Sequence, residues 1–232
     1  MSRRLIAATA LAAALHLAGL GQTFARAAEH QAWPDTAVTR LAALALIQTL
    51  NAELLSSPSA TLTLDRWCNT HALAPAGSKI IAERITGQDK AADPEIRERL
   101  EAAPDEAVAY RRVRLTCGTH VLSEADNWYL PARLTDEMNQ ALETTSTSFG
   151  RVVAPLRFTR TTLDATLLWQ PLPETWALQP IAPATKASSP LAIPDFLLRH
   201  RAVLKRADGR PFSLVVESYT GNILAFPAPA IP

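Results

Sequence analysis

Three charged residues stand where strand-like spacing gives them chemical meaning. In Ala109–Cys117 the apolar residues Val113, Leu115 and Cys117 alternate with Arg112, Arg114 and Thr116. A period of two puts Arg112 and Arg114 on one side of a strand, where two guanidinium groups suit a carboxylate, since each can bind it through a pair of hydrogen bonds. In Ser213–Tyr219, Glu217 shares its side with Val215 and Tyr219. A carboxyl group among apolar neighbours tends toward a raised pKa and can give or take a proton near neutrality. The plainer alternative is a cross-strand ion pair or a solvated face, the commoner fate of Arg and Glu on one sheet.

Other chemistries lack their residues. There is no Gly-x-Ser-x-Gly elbow, no phosphate-binding loop and no dinucleotide fingerprint. His30, His71, His120 and His200 are scattered, with neither Cys-x-x-Cys nor His-x-x-x-His, so no metal and no organic cofactor is expected. Formal charge is +1 and mean hydropathy +0.02, which offers no single-sign field for nucleic acid and excludes both wholesale disorder and a polytopic membrane protein. The 232 residues, 48% hydrophobic, suffice for one sizeable domain or two small ones.

The elements that must position these residues follow from the hydrophobic pattern. Residues 1–27 read as a signal peptide: Arg3 and Arg4, an apolar run from Leu5 to about Leu20, then Ala25-Arg26-Ala27 as the cleavage site. Cleavage removes three arginines and no acid, taking the formal charge from +1 to −2. The expected location is periplasmic or secreted, with no stable membrane insertion once the leader is gone. Residues 28–60 form an N-terminal helical segment. Its helix over Thr36–Leu55 has Leu41, Leu44, Ile47, Leu50 and Leu54 spaced by three or four. A second helix follows Ser56–Ser59, capped by Thr61 or Thr63, with Leu64, Trp67 and Cys68 inward.

Strands are expected at Lys79–Ile85, Ala109–Cys117, Val121–Leu130, Phe158–Trp169, Ala202–Arg206 and Phe212–Tyr219. The last two are joined by an Ala207–Arg210 turn. Short helices fall at Asp93–Ala103 and Thr135–Leu142. Between Gln170 and Asp195 six prolines exclude a regular element, and 225–232 form a Pro/Ala tail. Hairpins with helices among them predict an α+β fold on an antiparallel sheet with flanking helices. In an exported chain Cys68 and Cys117 can form a disulfide, closing a loop of about 50 residues worth about 3–4 kcal/mol. Two separate buried thiols suit the spacing equally well.

Three blocks of sequence resemble the chorismate pyruvate-lyases, whose fold is shared with the ligand-sensing domains of GntR-type repressors. They are Tyr110–Gly118 with the hairpin ending at Pro131, Leu134–Arg151 with its Phe149-Gly150-Arg151 turn, and Arg201–Glu217 with its Asp208-Gly209 hairpin. The resemblance spans roughly residues 61–224, with a proline-rich insertion at about 170–195. It implies that Arg112 holds the substrate carboxylate, with Arg114 beside it. It further implies that Glu217 contacts the ring hydroxyl and assists elimination, and that Phe149 and Gly150 line the pocket. The family reaction removes pyruvate from chorismate and leaves 4-hydroxybenzoate, without metal or organic cofactor. Asp126-Asn127-Trp128-Tyr129-Leu130 departs from the family hairpin, which suits a divergent exported branch.

Three functions are therefore expected in turn. The first is a chorismate lyase-like enzyme. The second is an exported, non-catalytic module that binds a small aromatic or cyclic carboxylic acid. The third is an interaction protein whose cavity is filled by Phe149, Trp128 and Trp169. In each case the protein is expected to be a monomer with no nucleic-acid partner.

Overall fold

A computed structural model describes residues 32–178 and 189–230. The leader expected at 1–27 lies outside the described residues. Helix α1 (Ala37–Ser56) starts where Thr36, in extended backbone, accepts from the Thr39 amide while the Thr39 side chain answers the Thr36 amide. This reciprocal cap satisfies donors that a helix start leaves orphaned. The buried stripe of α1 is Ala42, Ala43, Ile47, Leu50 and Leu54, whereas Leu41 is exposed, so the helix is turned slightly from the expected stripe. By length and composition α1 is apolar enough to cross a membrane, yet Ile47, Leu50 and Leu54 are packed in the protein core.

Helix α2 (Ala60–Thr70) is capped by Ser59, not by Thr61 or Thr63. Both threonines sit buried inside its first turns, and the Thr63 hydroxyl bonds back to the Ser59 carbonyl. The Ser-Pro-Ser break ends one helix and its last serine begins the next. Leu64, Trp67 and Cys68 face inward as the spacing predicts.

Six strands follow: β1 (Ile81–Ile85), β2 (Ala109–Cys117), β3 (His120–Tyr129), β4 (Thr159–Leu167), β5 (Phe196–Lys205) and β6 (Pro211–Thr220). Among them lie α3 (Pro94–Arg99), α4 (Asp136–Thr144) and the single turn α5 (Phe149–Val152). All pairings are antiparallel and the sheet order is β1-β2-β3-β6-β5-β4. The fold is therefore α+β, a six-stranded antiparallel sheet with flanking helices. Strand β5 begins six residues before the expected Ala202, because Phe196–Arg201 pairs with β6 as far as Thr220. The β5–β6 turn takes its Gly209 at φ +84°, a left-handed conformation that costs glycine nothing. The described parts of the proline-rich stretch hold no helix or strand beyond an isolated bridge between Pro34 and Pro190.

Each face of the sheet has its own cover. Val113, Leu115, Ala125, Val215 and Tyr219 pack with Ile47, Leu50, Leu64 and Trp67 of α1 and α2. On the other face Trp128, Val203 and Leu214 pack with Ile96 and Leu100, in and just after α3. Because side chains alternate, this two-sided burial fixes the register of the central strands β2, β3, β6 and β5. Cys68 of α2 and Cys117 of β2 are joined in a disulfide, with Cα atoms 6.3 Å apart. It binds α2 to the face it covers.

Candidate functional site

The register places Arg111, Val113 and Leu115 on the helix-covered face, and Arg112 and Arg114 on the other. Arg112 Nη2 donates to Glu124 Oε2 at 2.8 Å and its Nη1 to Gln88 at 2.6 Å, while Arg114 Nε donates to Glu124 Oε1 at 3.1 Å. The expected grip on a ligand carboxylate is thus a grip on Glu124 of the same hairpin. Glu124 holds the Arg112 guanidinium above its ordinary pKa, against a smaller opposing effect of burial. Arg112 and Glu217 are not brought together. The physical reason is the alternation itself: Val113 and Leu115 must face the helices, which sends the even-numbered arginines outward.

Between the start of α2, the turn α5 and strands β2, β3, β4 and β6 lies a cavity of about 50 Å³. Glu217, Phe149 and Gly150 line it, as do Arg111, Asn127, Ser148 and Arg160. Its walls are otherwise apolar, with Val113, Leu115, Val215, Leu204 and Phe158 among them.

Arg111 is only 3% exposed, and its one hydrogen bond runs from Nη2 to the Thr147 carbonyl at 3.3 Å. Nε and Nη1 are buried without partners. Burial holds its pKa below the usual arginine value, and the charge of Arg84 adds to this, with Tyr129 opposing. Asn127 accepts from Ser213 Oγ at 2.5 Å through Oδ1, which leaves its buried Nδ2 donor without an acceptor. The Ser148 hydroxyl, in a residue 1% exposed, is also unpartnered. A buried donor without an acceptor costs about 1–3 kcal/mol, and more for a charged group.

Glu217 anchors the other polar group. Arg160 Nη2 donates to its Oε2 at 2.7 Å and the Tyr219 hydroxyl donates to the same oxygen at 3.2 Å. The two paired side chains are 6% and 8% exposed. Burial works against the Arg160 charge, but Glu217 outweighs it and holds the guanidinium above its ordinary value. Burial, aided by Glu217, pushes the Tyr219 hydroxyl well up, so it stays a donor. Behind it His200, fully buried, meets Asn51 Oδ1 of α1 through Nε2 at 2.8 Å. An amide oxygen only accepts, so Nε2 carries the proton and Nδ1 keeps a lone pair with no partner. Burial is the main force holding His200 below the ordinary histidine range, with Glu217 opposing.

The turn carrying Phe149 and Gly150 is fastened from behind. Asp65 of α2 accepts from Ile80 N at 2.7 Å and from Arg151, whose Nη1 reaches the Ile80 carbonyl at 2.5 Å. Phe149 stands 5.5 Å from the Tyr129 ring and 6.3 Å from Phe212. Neither other aromatic filler expected of the cavity is there. Trp128 is on the opposite face with its indole N–H on the Lys90 carbonyl, and Trp169 packs against the helix core. Among the described residues no group of three or more His, Cys, Asp or Glu is placed to hold a metal ion.

Arg111, Asn127, Ser148 and Arg160 escaped the sequence reading. Arg111 had a signal, since it shares strand parity with Val113 and Leu115 and so had to be a cation on an apolar face. Arg160 had none, because its partner lies 57 residues away.

No family model matches the chain. It is 56% identical over 228 residues to the uncharacterized protein y4mC of Sinorhizobium fredii, a match covering 98% of this chain and 95% of that protein. Among solved structures it is similar to a GntR-family transcriptional regulator from Bacillus cereus. That match has TM-score 0.38 and 15% identity and covers 60% of this chain and 90% of the regulator's. It is also similar to a possible transcriptional regulator, YydK, from Bacillus subtilis, at TM-score 0.38 and 16% identity over 67% of this chain. That match covers 63% of YydK, so the chain spans less than two thirds of it. Both structural likenesses are partial, and no residue role follows from them.

Proposed function

The chain belongs to the family of y4mC, and we propose that it binds a small aromatic or cyclic carboxylic acid in the cavity between α2, α5 and the sheet. One observation carries this reading. Among the described residues, seven buried side-chain polar atoms lack a partner, and five of them belong to Arg111, Asn127, Ser148 and Arg160 around this one cavity. All five can donate a hydrogen bond. A donor-rich cradle containing an uncompensated guanidinium calls for an anion, and a planar carboxylate fits the fork of Arg111. Apolar walls favour a hydrocarbon body behind that head group. Glu217, whose recorded bonds both go to Oε2, supplies an acceptor for a ligand hydroxyl.

Export completes the proposal. Its supports are the leader-like composition of residues 1–27 and the Cys68–Cys117 disulfide, which persists in an oxidising compartment.

A second reading uses the same cavity for elimination of pyruvate from chorismate, in keeping with the resemblance to chorismate pyruvate-lyases. Its specific support is that Glu217 is the one carboxylate lining the cavity among the described residues, with Tyr219 fixing its orientation. The fixed cations would hold the substrate's charge while Glu217 contacts the ring hydroxyl.

The test titrates benzoate, 4-hydroxybenzoate and chorismate into the full chain by calorimetry, with pyruvate followed in the chorismate samples. Binding that is lost in Arg111→Met and kept in Arg112→Met is the expected result. Absence of binding by all three acids would overturn the cavity assignment. Pyruvate and 4-hydroxybenzoate formation that depends on Arg111 and Glu217 would instead establish the lyase.

A further inference from the structure

The cavity does not end at its own walls. Pro58, Ser59, Gly150 and Phe158 line it on one side and on the other line an outer groove of about 210 Å³. The remaining lining of that groove is Leu62, Ala154, Arg151 and Arg157. Leu62 is 49% exposed on α2 although its neighbours Thr61 and Thr63 are buried. The charge of Arg151 is matched by Asp65, while Arg157 is exposed to solvent with no ion pair among the described residues, and the rest of the lining is chiefly apolar.

Size separates the two spaces by role. At roughly 15 Å³ for each water centre, a 50 Å³ cavity takes about three waters, enough for the polar end of a compact acid and none for a long apolar substituent. The groove is about four times larger, and none of the buried unpartnered donors lines it. The two spaces meet at Gly150, where α5 lies close against the start of α2. This glycine does not have a positive φ, so backbone freedom is not what it provides. A Cβ there would lie 3.1 Å from Ser59 Oγ and 3.6 Å from Thr61 Oγ1, in the seam between α5 and the start of α2.

We infer that the ligand is an acid with an apolar substituent, its carboxylate in the Arg111 cradle and its substituent passing Gly150 and Phe158 into the groove beside Leu62. The inference rests on the cavity reading above and narrows its ligand class.

A ladder of benzoate, 4-ethylbenzoate, 4-butylbenzoate and 4-hexylbenzoate, titrated calorimetrically into the full chain, tests it. Each methylene buried in the groove is expected to tighten binding by about fourfold until the groove is filled. Leu62→Asp, a change at an exposed helix position, should weaken 4-butylbenzoate at least tenfold and leave benzoate within twofold. Gly150→Ala should act in the same direction by crowding Ser59. If benzoate binds through Arg111 but the ladder is flat, or the gain survives Leu62→Asp, the groove is not part of the site and the cavity reading stands. If no member binds, both fall together.

Discussion

Arg111 and Arg112 are adjacent in sequence and opposite in circumstance. Arg112 is on the α3 side of the sheet, part-buried within an ion network of Glu124, Asp126 and Arg114 that the β2–β3 hairpin makes for itself. Arg111 is on the covered side, almost fully buried, with two of its nitrogens bonded to nothing. The outer network is complete without a ligand and the inner cradle is not. A charged residue whose partners are all intramolecular serves structure, while a buried one left short of acceptors points to something the protein receives.

The comparison is sharpest where the inner face has closed its own pair. Glu217→Leu would leave Arg160 buried and uncompensated, with an expected loss of about 3–5 kcal/mol in urea unfolding. The Arg160→Met/Glu217→Leu double variant should cost less than either single change. Equal or greater loss in the double would show that packing rather than charge dominates there.

The disulfide comes next. Replacing Cys68 and Cys117 by Ser should remove about 2–4 kcal/mol and loosen α2 over the cavity, read as faster amide exchange at Thr61–Thr63. Unchanged exchange with lowered stability would confine the effect to the unfolded chain.

Arg111→Met comes third, and two measurements should move apart. Acid binding is expected to fall by about 1.5–3 kcal/mol, the worth of hydrogen bonds to a charged group. Stability should hold or rise, since an unmatched buried charge is removed. A large loss of stability would mean that Arg111 has a structural partner after all.

The fourth is a pH effect. His200 is held low by burial, so the folded state resists its protonation while the unfolded chain accepts it near pH 6.5. The His200 contribution to stability should therefore fall as pH drops below about 6.5, by at most about 1.4 kcal/mol per unit for this one group, and level off below the depressed folded value. His200→Gln should flatten part of that slope. His71, also held low mainly by burial, keeps the remainder. An identical slope in the variant would place the effect elsewhere.

Smallest of all is Arg112→Ala. This part-buried surface pair, with further partners to share its charge, is worth about 1 kcal/mol, and acid binding should not change. Lost binding would return the carboxylate to the outer face and reverse the contrast.

Much of the architecture was legible because it depends on local rules. Alternation marked β2 and β6, Asp208-Gly209 marked the turn from β5 to β6, and Asp93-Pro94 marked the entry to α3. The cap at Ser59 was misplaced onto Thr61 or Thr63 because all three residue types cap well, and tertiary burial chose among them. At the site, Val215, Glu217 and Tyr219 were seen to share a face, but Arg111, which lines the cavity with Glu217, was passed over for its neighbours Arg112 and Arg114. Period two says only that neighbours face opposite ways. Which way each faces depends on where the helices dock, and that is not written in the strand. The 57-residue reach from Arg160 to Glu217 has no local trace at all.

Strand β6 is the last strand in the chain, yet it lies between β3 and β5 at the middle of the sheet. A nascent chain can pair β1, β2 and β3 on one side and β4 with β5 on the other, but the two halves stay separate until β6 has been made. Glu217 and Tyr219 arrive with that strand, so the cavity gains its carboxylate and its last wall only once residues 211–220 have been added.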